Sequence, residues 1–205
     1  MNEHLKSAMQ SVPGMSPLGT VPLQHGEYAA QVLTEVLDAG FSGVMIGTQP
    51  KGVGGNLDDP SLEPFWSVAS QRKATVYIHP MFVCGDDRLK DYDMVNAVAR
   101  VTDTTVAVAR LLFSGHLVKY SGMNVVLSHG GGAIPYCLGR LSRTASFHKD
   151  LADPAAGFAQ LYFDTVMFDP LALRFLTDKV GVGKVMLGSD YPFPIGDLEP
   201  LRVVK

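Results

Sequence analysis

The chain is poor in the features that mark out several whole classes of protein. It holds only two cysteines, Cys84 and Cys137, too few for the disulfide framework of a small secreted scaffold, so a reduced, cytoplasmic setting is expected. No apolar run approaches the ~20 residues of a membrane span. The opening MNEHLKSAMQSV has neither the apolar centre nor the cleavage-like ending of a signal peptide. Charge of either sign is not in excess: 17 Lys and Arg against 20 Asp and Glu leave a net charge of −3, which gives no reason to expect nucleic acid or an anionic membrane as a partner. GxSxG and CxxC are absent. The glycine loop KGVGGN (51–56), with Gly52, Gly54 and Gly55, lacks both the GK[ST] ending of a P-loop and the strand–turn–helix spacing of a dinucleotide site. Nucleotide and thiol chemistry therefore have little support. No repeat, heptad pattern or low-complexity tract is evident.

What is present is a globular composition, 46% hydrophobic and 18% charged over 205 residues, enough for one domain with a real core but short of the ~250 residues of a complete eight-stranded α/β barrel. Residues 1–17 read as a flexible polar segment with turn formers at Pro13, Gly14 and Pro17. Residues 18–205 read as one α/β domain. Strands are predicted at 18–24 (weakened by Pro22), 43–48, 75–78, 124–127, 161–167 and 184–188, mostly continuous in hydrophobicity as burial on two faces requires. Between them, helical spacing appears at 29–37, ended by Gly40, at 61–72 around Trp66, and at 92–113 as one long helix or a broken pair. Helical spacing also appears around Ile134 to Leu141, and after Asp169, which is placed to cap a helix whose first residue is Pro170.

Three of the apolar runs end in a residue that a metal enzyme can use. TVYIHP delivers His79, NVVLSHGGG delivers His129, and KVMLGSDYPFP delivers Asp190. In a barrel of parallel strands the carboxyl ends open onto one face, where such side chains converge. Two imidazoles and a carboxylate gathered there suit a divalent cation with room for water. Each residue also has a plainer reading. His79 can satisfy a backbone carbonyl at the core edge, although Pro80 biases it toward extended geometry at a strand mouth. The glycines after His129 can be an ordinary loop, or a backbone that approaches a ligand closely. Asp190 can cap a turn, although a carboxylate following a wholly apolar strand is expensive to bury without a cation. Asp164 either lines the same mouth or satisfies a loop. His25 is expected to face solvent, as are His4, His116 and His148, and Trp66 to lie in the core.

Taken with LGTVPLQ, IGT…NLDDPSLEPFW, YIHP, LSHGGGAIPYCLGRL and LGSDYPFPIGD, these motifs resemble the amidohydrolase-related family, on the side of its aminocarboxymuconate-semialdehyde decarboxylases, over roughly residues 18–197. The resemblance implies a (β/α)8 TIM barrel, a divalent metal (usually zinc), and non-oxidative decarboxylation of an unsaturated or aromatic carboxylic acid. It implies His79 and Asp190 as metal ligands, and His129 as the acid and base beside the metal. Arg140, in LGR, is implied to reach the carboxylate substrate of a neighbouring subunit in a homodimer. Two departures qualify it. The family's HxH pair of metal ligands is absent, so by the family pattern the chain carries six of eight strands, without the first two. Met81 and Phe82 follow HP where Trp-Asp is common, and Lys149 stands where arginine is usual, without its two-pronged grip on a carboxylate. Two alternatives to a decarboxylase stand: a metal-dependent hydrolase of a lactone or amide, and a non-catalytic barrel remnant.

Overall fold

A computed structural model describes residues 1–52 and 55–204. Val53 and Gly54 of the glycine loop, and Lys205, lie outside the described residues. The expected flexible segment begins with a helix, α1 (Asn2–Gln10). Leu5 on its inner side packs against the core, and the Asn2 side chain exchanges two hydrogen bonds with the Thr20 backbone, at 3.0 and 2.9 Å. That clasp joins residues 18 apart, a pairing that composition alone does not reveal.

Six strands follow: β1 (Leu18–Gly19), β2 (Gly43–Ile46), β3 (Thr75–Ile78), β4 (Asn124–Leu127), β5 (Leu161–Asp164) and β6 (Val185–Met186). They pair in parallel in chain order. The connecting helices are α2 (Gly26–Asp38), α3 (Glu63–Gln71), α4 (Arg100–Phe113), α5 (His116–Lys119), α6 (Ile134–Ala145), α7 (Pro154–Phe158) and α8 (Pro170–Val180). Strand alternating with helix, every pairing parallel and the sheet left open between β1 and β6, makes an incomplete (β/α)8 barrel. β1 is shorter than its apolar run: both Thr20 backbone groups bond to Asn2, and Pro22 beyond has no N–H to donate. Of the two readings of 92–113, one long helix or a broken pair, the continuous one is realised: a π-turn at Val95–Ala99 runs directly into α4. Asp169 caps α8 as expected, accepting from the N–H groups of Leu171 and Ala172.

Burial corrects one expectation. The row Ile46–Ile78–Leu127–Phe163, one residue per strand in register, is covered by the helices and packs in one cluster with Leu33, Trp66 and Leu111. The neighbouring row Met45–Tyr77–Val126–Tyr162 points to the concave side, where Met45 is 40% exposed and both tyrosines are half-buried. Two-face burial is therefore complete only on the helix face, because an open sheet does not enclose its own interior.

His116 is a second correction. Its polar surroundings in the sequence suggest a surface residue, yet it is buried. Its ring lies edge-on to Trp66, its Nδ1 is 2.9 Å from Ser114 Oγ, and its Nε2 has no partner among the described residues. Burial holds its pKa below the ordinary histidine value. The unfolded chain therefore binds a proton at His116 more readily than the folded one, and stability falls as pH drops below about 6.5. His79 is shifted in the same direction and contributes to the same slope. Urea midpoints at pH 7.5 and 5.5 should fall less in a His116→Asn variant than in the parent chain; equal slopes would remove His116 from this account.

Candidate metal centre

Each candidate residue stands just beyond a strand end. The His79 N–H donates to the Ile46 carbonyl at 2.9 Å, extending the β2–β3 ladder by one step, and Ser128 N–H donates to Ile78 at 3.1 Å on the other side. His129 and Asp190 then turn off the sheet with left-handed backbones, φ 53° and 57°. The three side chains meet. His79 Nε2 is 3.2 Å from Asp190 Oδ1 and His129 Nε2 is 3.6 Å from Oδ2. The imidazole rings lie edge to face, with centroids 5.0 Å apart. Side-chain exposure is 9% for His79, 12% for His129 and 10% for Asp190. One ligand atom from each falls within 4.8 Å of the others, and among the described residues no other group of three His, Cys, Asp or Glu comes together this way.

The donor set suits a divalent metal. Two imidazole nitrogens and one carboxylate oxygen are borderline ligands of the kind zinc and its neighbours take. Burial, and then the neighbouring His129, hold the His79 pKa below its usual value, outweighing the pull of Asp190 in the other direction. His79 therefore stays neutral, as a ligand must be. Its Nε2 is the nitrogen that faces the trio; Nδ1, on the far side of the ring, is buried without a partner among the described residues, a place for a water. The ring itself is clamped against Phe193, stacked within 9° of parallel at 5.6 Å.

The trio opens into a cavity of about 690 Å³, within the range of small-molecule sites. Its walls are mainly apolar, with Val101, Val166, Met167, Phe168, Phe193 and Ile195 contributing. Arg100 also lines it; its Nη1 donates to the Pro80 carbonyl at 3.0 Å, and among the described residues no carboxylate pairs with it. Six described non-glycine residues take positive φ, and four of these, Asp93, His129, Phe168 and Asp190, line this cavity. Strain of this kind persists where surrounding structure enforces it, and it concentrates at functional sites. The π-turn supplies further lining through Val95, Asn96 and Ala97, another feature enriched at such sites.

Other candidates fall elsewhere. Arg140 is exposed on α6 and does not line the cavity of its own chain. Asp164 is buried, and of its two readings the loop-holding one is realised: its carboxylate accepts from Gly130 N–H at 2.9 Å, Val166 N–H at 3.1 Å and the Tyr77 hydroxyl at 2.8 Å. Burial, and then Asp164, push the Tyr77 pKa up, so its hydroxyl stays a donor. His4, His25 and His148 are exposed, and Trp66 is buried with Nε1 donating to the Leu57 carbonyl at 2.9 Å. Sequence reasoning missed Arg100, which sits in a helical run with no motif around it. Phe193 was within reach, lying three residues past Asp190 in YPFP.

Comparison with known proteins agrees with this architecture. A decarboxylase of 2-amino-3-carboxymuconate-6-semialdehyde from Dictyostelium discoideum is 32% identical over 213 residues, covering 100% of this chain and 59% of that protein. A 6-methylsalicylic acid decarboxylase from Penicillium expansum is 31% identical, covering 89% of this chain and 56% of its own length. The chain thus spans less than two thirds of these curated relatives. Among solved structures, 5-carboxyvanillate decarboxylase from Sphingomonas paucimobilis superposes with a TM-score of 0.88 at 24% identity, covering 99% of this chain and 64% of that one. A dihydroxybenzoic acid decarboxylase from Polaromonas sp. JS666, crystallised with manganese and an inhibitor, gives 0.84 at 22%, covering 97% and 64%. The amidohydrolase family model matches residues 1–204, and this chain belongs to the amidohydrolase family.

Proposed function

We propose that this chain carries the strand-end half of the active site of a metal-dependent, non-oxidative decarboxylase acting on an unsaturated or aromatic carboxylic acid. The observation behind it is the meeting of His79, His129 and Asp190 at one end of an apolar cavity. His79 and Asp190 would hold the cation, and zinc is the proposed ion because an imidazole nitrogen and a carboxylate oxygen are both ligands it takes. When bound, a divalent cation supplies positive charge that draws an anionic oxygen and makes water more acidic. His129 Nε2, facing Asp190 Oδ2, is then the group that takes a proton from water and delivers it to the substrate carbon that loses CO2. Arg100, with its charge unpaired by any described carboxylate, attracts the acid into the cavity. The apolar walls exclude water and favour a flat, unsaturated body. Arg140, exposed on α6, is assigned by the same reading to the substrate of a neighbouring subunit in a dimer.

Metal analysis of the purified chain, followed by CO2 release from unsaturated and aromatic acids with and without added zinc or manganese, tests this. Metal-dependent CO2 release is the expected result. Ring opening of a lactone without carbon loss would point to a hydrolase instead. A second reading, a non-catalytic remnant, has its own observation: among the described residues no fourth His, Cys, Asp or Glu joins the trio, so ligation by His129 and its proton-transfer role compete for one imidazole. A folded, metal-free, inert protein would decide for the remnant.

A further inference from the structure

Asp164 is buried, with 3% exposure, and it does not line the cavity. A carboxylate in such a place is costly, and here no described cation offsets it; three neutral donors do. The third, Val166 N–H, belongs to Asp164's own turn; the other two, and the close contact beside them, have something in common. The Tyr77 hydroxyl, which reaches Oδ2 at 2.8 Å, stands two residues before His79 on the same face of β3. The Gly130 N–H, which reaches Oδ1 at 2.9 Å, belongs to the residue after His129. Gly188, two residues before Asp190, passes so close that a Cβ there would lie 3.1 Å from Asp164 Cβ; its N–H donates to Thr165 Oγ1 at 3.1 Å. Every member of the candidate centre is thus reached from Asp164 within one or two residues of chain.

We propose that Asp164 is the positioning residue of this centre, its carboxylate joining the segments that carry His79 and His129, with Gly188, ahead of Asp190, passing close beside it. The bond to Gly130 is the decisive one. It holds the backbone immediately after His129, whose φ of 53° is uncommon for a residue with a side chain, although histidine takes it more readily than most, and persists where neighbouring structure enforces it. Released, His129 relaxes toward negative φ and its ring leaves His79. The functional meaning rests on the trio's proposed role, but the geometric statement does not require a cation, and the two can fail separately.

Nuclear magnetic resonance of the metal-free protein separates them. In the parent chain, cross-peaks between the rings of His79 and His129 are expected, with a slowly exchanging Gly130 amide. Asp164→Asn keeps an acceptor for Gly130 and Val166 and turns an amide donor toward the Tyr77 oxygen, so both signals should survive. Asp164→Ala should lose the ring cross-peaks and speed Gly130 exchange roughly 10- to 100-fold, the worth of a hydrogen bond to a charged group. Unchanged signals in Asp164→Ala would overturn the proposal. Should that variant fail to fold, Asp164→Leu decides: it fills a similar volume but offers Gly130 no acceptor, and unchanged ring contacts and Gly130 exchange there would overturn the proposal equally. A calorimetric zinc titration completes the test, with Asp164→Ala expected to bind about 10- to 100-fold more weakly, as when outer-shell partners are lost. A parent chain that ignores zinc while the resonance differences hold would sink the metal reading and leave the positioning role standing.

Discussion

Replacing Asp190 by asparagine should weaken the binding of zinc or manganese by about 100-fold or more, beyond the 10- to 100-fold that loss of an outer-shell partner costs. The carboxylate oxygens face one imidazole each, at 3.2 and 3.6 Å, and only 10% of the side chain is exposed. A dication placed there with two neutral imidazoles and a neutral amide would keep its full charge in a dry setting, where an unbalanced charge is most costly. The competing reading, a turn-capping aspartate, predicts something else. The turn at Asp190 is closed by its backbone carbonyl, which accepts from Phe193 N–H at 3.0 Å, and Asp190→Asn would leave that bond intact. Without metal, the variant should melt at or slightly above the parent's temperature, since a buried carboxylate has been neutralised. With metal, only the parent should gain stability, by the mass-action amount its free ligand concentration sets. Paired melting curves with and without zinc, backed by calorimetry, read both quantities. Equal metal-induced shifts in the two proteins would move ligation away from Asp190.

The strand-end residues were legible because parallel strands impose a strong rule: two buried faces give an uninterrupted apolar run, so the polar residue that ends it stands out. His79, His129 and Asp190 all follow that rule, and Asp169 with Pro170 follows the equally local rule of helix starts. Residues whose role depends on pairing across long separations were not legible. Asp164 bonds Tyr77 across 87 residues, and Asn2 holds Thr20 with no pattern between them. Buried Asp103 gathers the Thr48 hydroxyl, the Gln49 amide and the Cys84 thiol from loops after β2 and β3, although it reads from the sequence as one polar residue on an amphipathic helix. His116 failed for a different reason. Its neighbours Gly115 and Lys119 suggest surface, while the α5 turn carries its ring inward against Trp66. The half-covered concave row was misjudged because hydrophobicity records what a strand can bury, not whether the sheet closes over it.

The glycine run after His129 leads to a large expected loss of stability from adding a single methyl group beside the candidate centre. Gly132 has φ 60° and ψ −132°, a region that is almost forbidden to residues with a side chain. A Cβ there would lie 2.5 Å from the Val101 carbonyl oxygen and 2.7 Å from Thr105 Oγ1. The first of these belongs to the backbone of α4, which cannot step aside without moving the helix that carries Arg100. Backbone strain of about 1–3 kcal/mol and overpacking of about 1–3 kcal/mol together give a cost near 3 kcal/mol for Gly132→Ala. For a chain of this size that lowers the melting temperature by roughly 6–12 °C. The matched control is Gly139, inside α6, where an added Cβ meets nothing within 4 Å. Alanine there should raise stability by about 0.5–1 kcal/mol through helix propensity alone. The contrast reaches function because Gly132 N–H donates to the His129 carbonyl at 3.1 Å and so closes the turn that aims the imidazole. A chain that must accommodate a methyl at 132 has to reopen that turn, and metal affinity should fall together with stability. If Gly132→Ala melts like the parent, the tight passage of this loop beneath α4 is not what fixes His129.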